Sequence, residues 1–187
     1  MTDASAYVAE IFAFRAQKDE FFANSPDSPF ASEGVYAPFA GLHYFQPDAT
    51  YRVSAQFRPA ANRELFRLSS TGSEPRPQIK AGELTFTLHG RHCLLTAFAS
   101  LDEPNSRELF VPFRDETTGH ETYSAGRYLE IERDADLPGE QTITLDFNLA
   151  YNPWCAYSAS YICTLPPAEN TLPVPVRAGE LSPPPSH

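Results

Sequence analysis

The segment DFNLAYNPWCAY, residues 146–157, holds the densest group of chemically capable side chains in the sequence. Asp146, Asn148, Asn152, Cys155 and Tyr157 fall at a strand end and on the loop that follows it. Polar loop groups carried by a rigid sheet are a common setting for binding chemistry. Asp146 could act as a general base, with Asn148 and Tyr157 orienting a substrate. Trp154, Tyr151, Tyr157 and Tyr161 would supply aromatic walls. Each residue also has a plain role. Asx side chains bond local backbone in turns, and a Cys among aromatics is commonly a small buried hydrophobe. A nucleophilic Cys155 would need a base or a positive field beside it, and no His is near it in sequence. Cys155 and Cys163 do not match zinc-ligand spacing. There is no phosphate loop, dinucleotide fingerprint or G-x-S-x-G elbow. No metal and no cofactor is therefore expected, and hydrolysis is the default class for a site without one.

A second group lies in FRAQKDEFF, residues 14–22. At 100° per residue, Arg15, Lys18 and Asp19 fall inside the apolar arc that runs through Phe21, Phe14, Tyr7, Ile11, Phe22, Val8 and Phe12. Solvated charges would sit on the opposite side with Glu10 and Glu20. An isolated ion in a protein interior costs several kcal/mol, so these three need partners. Arg15 and Asp19, four apart, could pair with each other, and Lys18 could extend to the edge of the contact. A third charge, Arg127, shares parity with Leu129 and Ile131, which points it inward. Asp146, Glu130 or Asp19 could meet it. Because Arg127 follows Gly126 at a strand start, an open pocket edge is expected there. Arg15, Lys18 and Arg127 against Asp19 and Asp146 leave one positive charge over, which suits a small anion gripped by Arg forks.

The elements that must position these groups are mostly strands. Residues 5–23 read as one helix, capped by Ser5 and ended by Asn24 and the prolines of NSPDSPF. Period-two alternation follows over about 50–163. In YRVSAQF, Tyr51, Val53, Ala55 and Phe57 share one face. ELTFTLHGRHCLLTAF reads as a hairpin turning at His89-Gly90. ELFVPF, RYLEIER and QTITLDFN are further strands, and no second helix is available to cross over a parallel sheet. The expected fold is mainly β: an antiparallel sandwich or partly open barrel, with the helix packed on it. Residues 165–187 form a proline-rich tail, read as an extended strap with its last half-dozen residues disordered. A short echo, IKAGEL at 79–84 and VRAGEL at 176–181, reads as two similar turns.

At 187 residues the chain reads as one domain, 1–187. It carries 14 basic and 24 acidic residues, a net charge of -10. No basic run offers a footprint for nucleic acid or an anionic membrane. No window approaches the roughly 18 apolar residues of a membrane span. The N-terminus lacks a signal peptide and the cysteines are odd in number, so a cytoplasmic protein is expected, with no bond between Cys155 and Cys163.

RAQKDEFF followed by SPF, then GLHYFQPDATYRV, LFVPFRDETTGHETYSAGRYL and LDFNLAYNPWCAYSASYICTLPPAEN, together resemble a bacterial and archaeal family of uncharacterised proteins, domain-of-unknown-function family 1684. The resemblance covers nearly the whole chain and implies a single domain of this length. It brings no activity, cofactor or catalytic residue. Two readings follow. In one, Arg15, Lys18, Asp19, Arg127, Asp146, Asn148, Asn152, Cys155 and Tyr157 line a polar pocket for a small anion, and Asp146 serves a cofactor-free hydrolase. In the other, the protein is a non-catalytic interaction or structural module, and its buried charges only dock the helix.

Overall fold

The helix and the alternating strands are both present in the computed structural model, which describes residues 4–183 except 138. Helix α1 spans Ala4–Asn24. The strands are β1 (Arg52–Pro59), β2 (Leu65–Leu68), β3 (Arg76–Leu88), β4 (Arg91–Ala99), β5 (Glu108–Phe113), β6 (Arg127–Glu132) and β7 (Gln141–Asp146). They form one antiparallel sheet in the order β6-β5-β4-β3-β1-β7, with β2 paired to the free half of β3. The sheet curls into a half-barrel, which is the partly open barrel expected rather than the sandwich. No helix among the described residues is long and apolar enough to cross a membrane.

Alternation sets the concave face. Ala55, Phe57, Leu84, Phe86, Leu95, Leu109, Val111, Leu129 and Leu145 all point inward and are buried. The β3–β4 hairpin turns at His89 and Gly90, both with positive φ, as a two-residue turn of this hand requires. Gly82 sits at an irregularity in β3 where a Cβ would stand 2.4 Å from Arg58 O and 2.6 Å from the Phe57 ring. Its counterpart in the sequence echo, Gly179, would place a Cβ 2.5 Å from Ala150 O. Both glycines of the echo are thus sites where another segment crosses closely.

The tail is part of the core. Residues 171–182 run without helix or strand, and Leu172, Val174, Val176 and Ala178 are buried beneath the curl of the sheet. Just before them, the fully buried Asn170 bridges two strands. Its Nδ2 donates to Thr96 O at 2.9 Å and Pro112 O at 2.7 Å, and its Oδ1 accepts from Thr96 N at 2.8 Å. β4 and β5 pair at Phe98 and Phe110 and separate beyond that point. The Asn170 amide satisfies the backbone groups the splayed strands leave open. The expectation of disorder for the last half-dozen residues bears mainly on 184–187, which lie outside the described residues.

α1 rests on the segments flanking the sheet rather than on the strands' flat face. Tyr7, Ile11, Arg15 and Phe22 are its buried residues. Phe14, expected to be buried with them, is 44% exposed. The arc is correctly ordered, but its centre lies at Ile11, Arg15 and Phe22, so Phe14 and Phe21 fall on the rim.

Candidate functional site

The sequence singled out nine residues, and the structure distributes them over three separate polar clusters and one neighbouring pair of thiols. The first cluster joins the start of α1 to the end of β7. Tyr7 Oη donates to the Asp146 carboxylate, 2.9 Å from Oδ2. Asn148, which follows β7 in a short turn capped by Asp146, donates through Nδ2 to Tyr7 Oη and to Asp48 O, both at 2.8 Å. Its Oδ1 accepts from Asp48 N at 2.9 Å. Arg52 Nε stands 3.8 Å from Asp146. Burial, then the Asp146 contact, pushes the Tyr7 hydroxyl well above the usual tyrosine range.

The second cluster sits under the last half of α1. Lys18 Nζ meets Glu180 Oε1 at 2.5 Å, and the Glu180 side chain is 1% exposed. Glu180 Oε2 accepts from Asn152 N at 2.7 Å and Tyr157 Oη at 2.9 Å. Asn152 Nδ2 reaches Leu181 O at 2.7 Å. Lys18 also lies over the Tyr151 ring, 4.6 Å from its centroid. Arg15 lies between the two clusters. It stacks on Tyr44 at 4.4 Å and donates to Phe45 O at 2.8 Å. Burial lowers its pKa. The pairing expected between Arg15 and Asp19 is replaced: Asp19 Oδ1 accepts from Leu42 N at 3.1 Å. Backbone groups of the 42–45 segment serve both side chains, and neither needs the other.

The third cluster is a closed ion pair. Arg127 Nη2 meets Asp115 Oδ2 at 3.0 Å, each side chain 1% exposed. Nη2 also donates to Val176 O at 2.8 Å, and Nη1 to Glu180 O at 3.2 Å and to Ala178 O. Asp115 Oδ1 accepts from Thr117 N at 2.8 Å and Val176 N at 3.1 Å. Burial lowers the Arg127 pKa and Asp115 opposes it. The inward direction of Arg127 follows its parity, but its carboxylate partner is none of the three considered, and it stands at no open edge. Arg15, Arg127 and Asp146 do not converge on a common cavity.

Two residues that organise these clusters escaped the sequence reading. Asp115 lies in a turn-rich stretch, where an Asp looks like a local cap, which it also is. Glu180 carried a usable signal: it continues the buried parity of Leu172, Val174, Val176 and Ala178.

The open space lies elsewhere. A groove of about 650 Å³ runs beside β4, β5 and β6. Tyr128, Tyr151, Trp154 and Tyr161 line it, with Glu130 and Cys163. Trp154 and Tyr161 meet edge to face at 5.1 Å, as do Tyr128 and Tyr151 at 5.7 Å. Tyr151 Oη donates to Glu130 Oε1 at 2.6 Å, and burial raises the Tyr151 pKa. Glu103, Glu108 and Arg76 complete the charged rim. Cys155 is 6% exposed, just behind Cys163. A second cavity of about 450 Å³, bounded by Phe30, Tyr36, Leu42 and Tyr123, takes Tyr157 as one wall.

No curated protein matches the chain. Among solved structures it is similar to an uncharacterised protein of Haloarcula marismortui determined by NMR in solution, with 42% sequence identity and a TM-score of 0.72. The match covers 96% of each chain. The sequence model of the family described as "Protein of unknown function (DUF1684)" matches residues 37–181, and the chain belongs to that family.

Proposed function

We propose that the protein is a binding domain whose site is the aromatic groove, and that its ligand is a small organic cation, an amine or a quaternary ammonium. The observation that carries this reading is the groove's lining: six aromatic side chains beside three carboxylates, Glu103, Glu108 and Glu130, against one guanidinium, Arg76. Ring faces and carboxylates together attract an ammonium group that Arg forks would repel. The chain's net charge of -10 acts in the same sense on approach. The buried charges then have the docking role of the non-catalytic reading. Lys18, Asp146 and Arg127 each hold an internal partner and fasten the helix and the tail to the barrel. Asp146, with its oxygens taken by Tyr7 and Asn148, is poorly placed to be a general base. We place the protein in the cytoplasm, a reading supported by free thiols at Cys93, Cys155 and Cys163.

The rival occupant is the small anion expected from the sequence, and one screen separates the two. A ligand that binds only the folded state raises the melting temperature. Choline, spermidine and other amines should raise it, and inorganic phosphate and small carboxylates should leave it unchanged. The amine effect should vanish in Trp154→Ala. A rise with phosphate and none with any amine would overturn the reading.

A further inference from the structure

Cys155 and Cys163 are eight residues apart, and a turn at 158–160 brings them back together. Cys155 N donates to Cys163 Sγ at 3.2 Å, which sets the two cysteines side by side. Their environments differ. Cys163 is half-buried and forms part of the groove wall, whereas Cys155 is buried behind it. Thr71 fixes Cys163 from the other side, with its Oγ1 accepting from Cys163 N at 3.0 Å and its N donating to Cys163 O at 2.9 Å. Arg76 adds positive charge near the Cys163 sulfur. Tyr123 Oη lies 3.8 Å from Cys155 Sγ.

This arrangement separates the two roles a reactive dithiol needs. The neighbouring Cys155 side chain, its backbone N–H and Arg76 bring the Cys163 thiol down to about 7. The neighbouring Cys163 side chain, then burial, pushes Cys155 up. Cys163 is thus the sulfur that ionises first, and it is also the one a solute can reach.

We propose that Cys163 is a peroxide-reactive thiolate and that Cys155 is its resolving thiol, so that the pair reduces small hydroperoxides entering from the groove. The Cys163 sulfur attacks the terminal oxygen of the hydroperoxide. An S–O bond forms, the O–O bond breaks, and the alkoxide or hydroxide that leaves takes a proton from solvent. Cys163 is then a sulfenic acid. Cys155 gives up its proton and attacks the Cys163 sulfur. The S–S bond forms, the S–O bond breaks, and hydroxide leaves with that proton as water. Two thiols have supplied the two electrons that reduced the peroxide. An external dithiol restores both by exchange, becoming a disulfide itself. The step needs no recognition by the aromatic rings, so it is independent of the amine-binding proposal.

The test uses the reduced wild-type protein and Cys93 as its internal reference, since burial raises that thiol's pKa. One equivalent of hydrogen peroxide is added, the reaction is quenched with iodoacetamide, and peptides are weighed. Cys163 should be consumed at least roughly tenfold faster than Cys93, as thiolate control of reactivity requires, and should appear bonded to Cys155. In Cys155→Ser, Cys163 should stop at the sulfenic acid and be captured by dimedone. In Cys163→Ser, Cys155 should react no faster than Cys93. A wild-type Cys163 no faster than Cys93 overturns the proposal without recourse to any variant. A fast Cys163 that yields sulfenic acid and no bond to Cys155 overturns the resolving role.

Discussion

Arg127 and Asp115 form an ion pair at 3.0 Å that is closed to solvent, and both side chains also grip the backbone of the C-terminal tail. The guanidinium donates to carbonyls of Val176, Ala178 and Glu180, and the carboxylate accepts from Val176 N. One buried pair thus holds the tail against the end of β6. Truncating it strands a charge that water cannot reach. Arg127→Met should destabilise the protein by about 3–5 kcal/mol, the scale of a broken buried pair. Asp115→Leu combined with Arg127→Met should recover part of that loss, because no lone charge remains. Urea melts of the two variants and the wild type check both statements. A loss near zero for Arg127→Met would mean that water reaches Asp115.

Glu180 is the corresponding anchor under α1. Glu180→Ala removes the acceptor of Lys18, of Asn152 N and of Tyr157 Oη together. The expected cost is again about 3–5 kcal/mol. Lys18→Ala should cost less than Glu180→Ala, since Glu180 keeps its two other donors. Chemical denaturation ranks them, and the opposite order would contradict the account.

The helix offers a contrast between two apolar residues three apart. Ile11 is 4% exposed and Phe14 is 44% exposed. Ile11→Ala should cost about 2–5 kcal/mol, as truncation of a buried aliphatic does. Phe14→Ala should change stability by no more than about 0.5 kcal/mol, like other exposed substitutions. Equal effects would place the buried centre of the helix where the sequence first suggested.

How far the sequence revealed this architecture depends on the range of the interaction. Parity alone gave the inward set Ala55, Phe57, Leu129 and Ile131, and it turned Arg127 inward with them, because a strand's period is local. The wheel placed Arg15 and Lys18 on the buried arc for the same reason. Their partners were not readable. Asp115 lies twelve residues before Arg127, across a hairpin, and Glu180 lies 162 residues after Lys18. Nothing local distinguishes a carboxylate that caps its own turn from one that also meets a distant cation. The groove was half visible: Trp154, Tyr151 and Tyr161 were recognised as walls, Tyr157, read with them, lines the second cavity instead, and Tyr128 and Glu130 join through the long-range bridge between Tyr128 and Tyr151.

The buried hydroxyls predict alkaline lability. Burial raises Tyr7, Tyr44, Tyr128, Tyr151 and Tyr157 above the ordinary value of 10.0. Their neutral forms are favoured in the folded state only. Above pH 10 the unfolded chain therefore holds fewer protons than the native one, and stability falls as pH rises. Below pH 10 these groups contribute no pH dependence. Phenolate absorbance should appear together with the loss of far-UV ellipticity in one step. A smooth tyrosine titration near pH 10 with ellipticity intact would contradict the burial of these side chains.

The central claim is that the ligand site is the aromatic groove and that the buried charges are internal fasteners. Trp154 is the only tryptophan, so its indole N–H gives a single resolved signal at the groove wall. The most direct measurement is an NMR titration of nitrogen-15-labelled protein with tetramethylammonium and, separately, with inorganic phosphate. The account predicts that tetramethylammonium shifts the Trp154 indole signal and the amides of Tyr151 and Tyr161, and that phosphate shifts neither these nor the amides of residues 15 and 127. An unmoved indole under tetramethylammonium, with phosphate-dependent shifts at residues 15, 18 and 127, would contradict it.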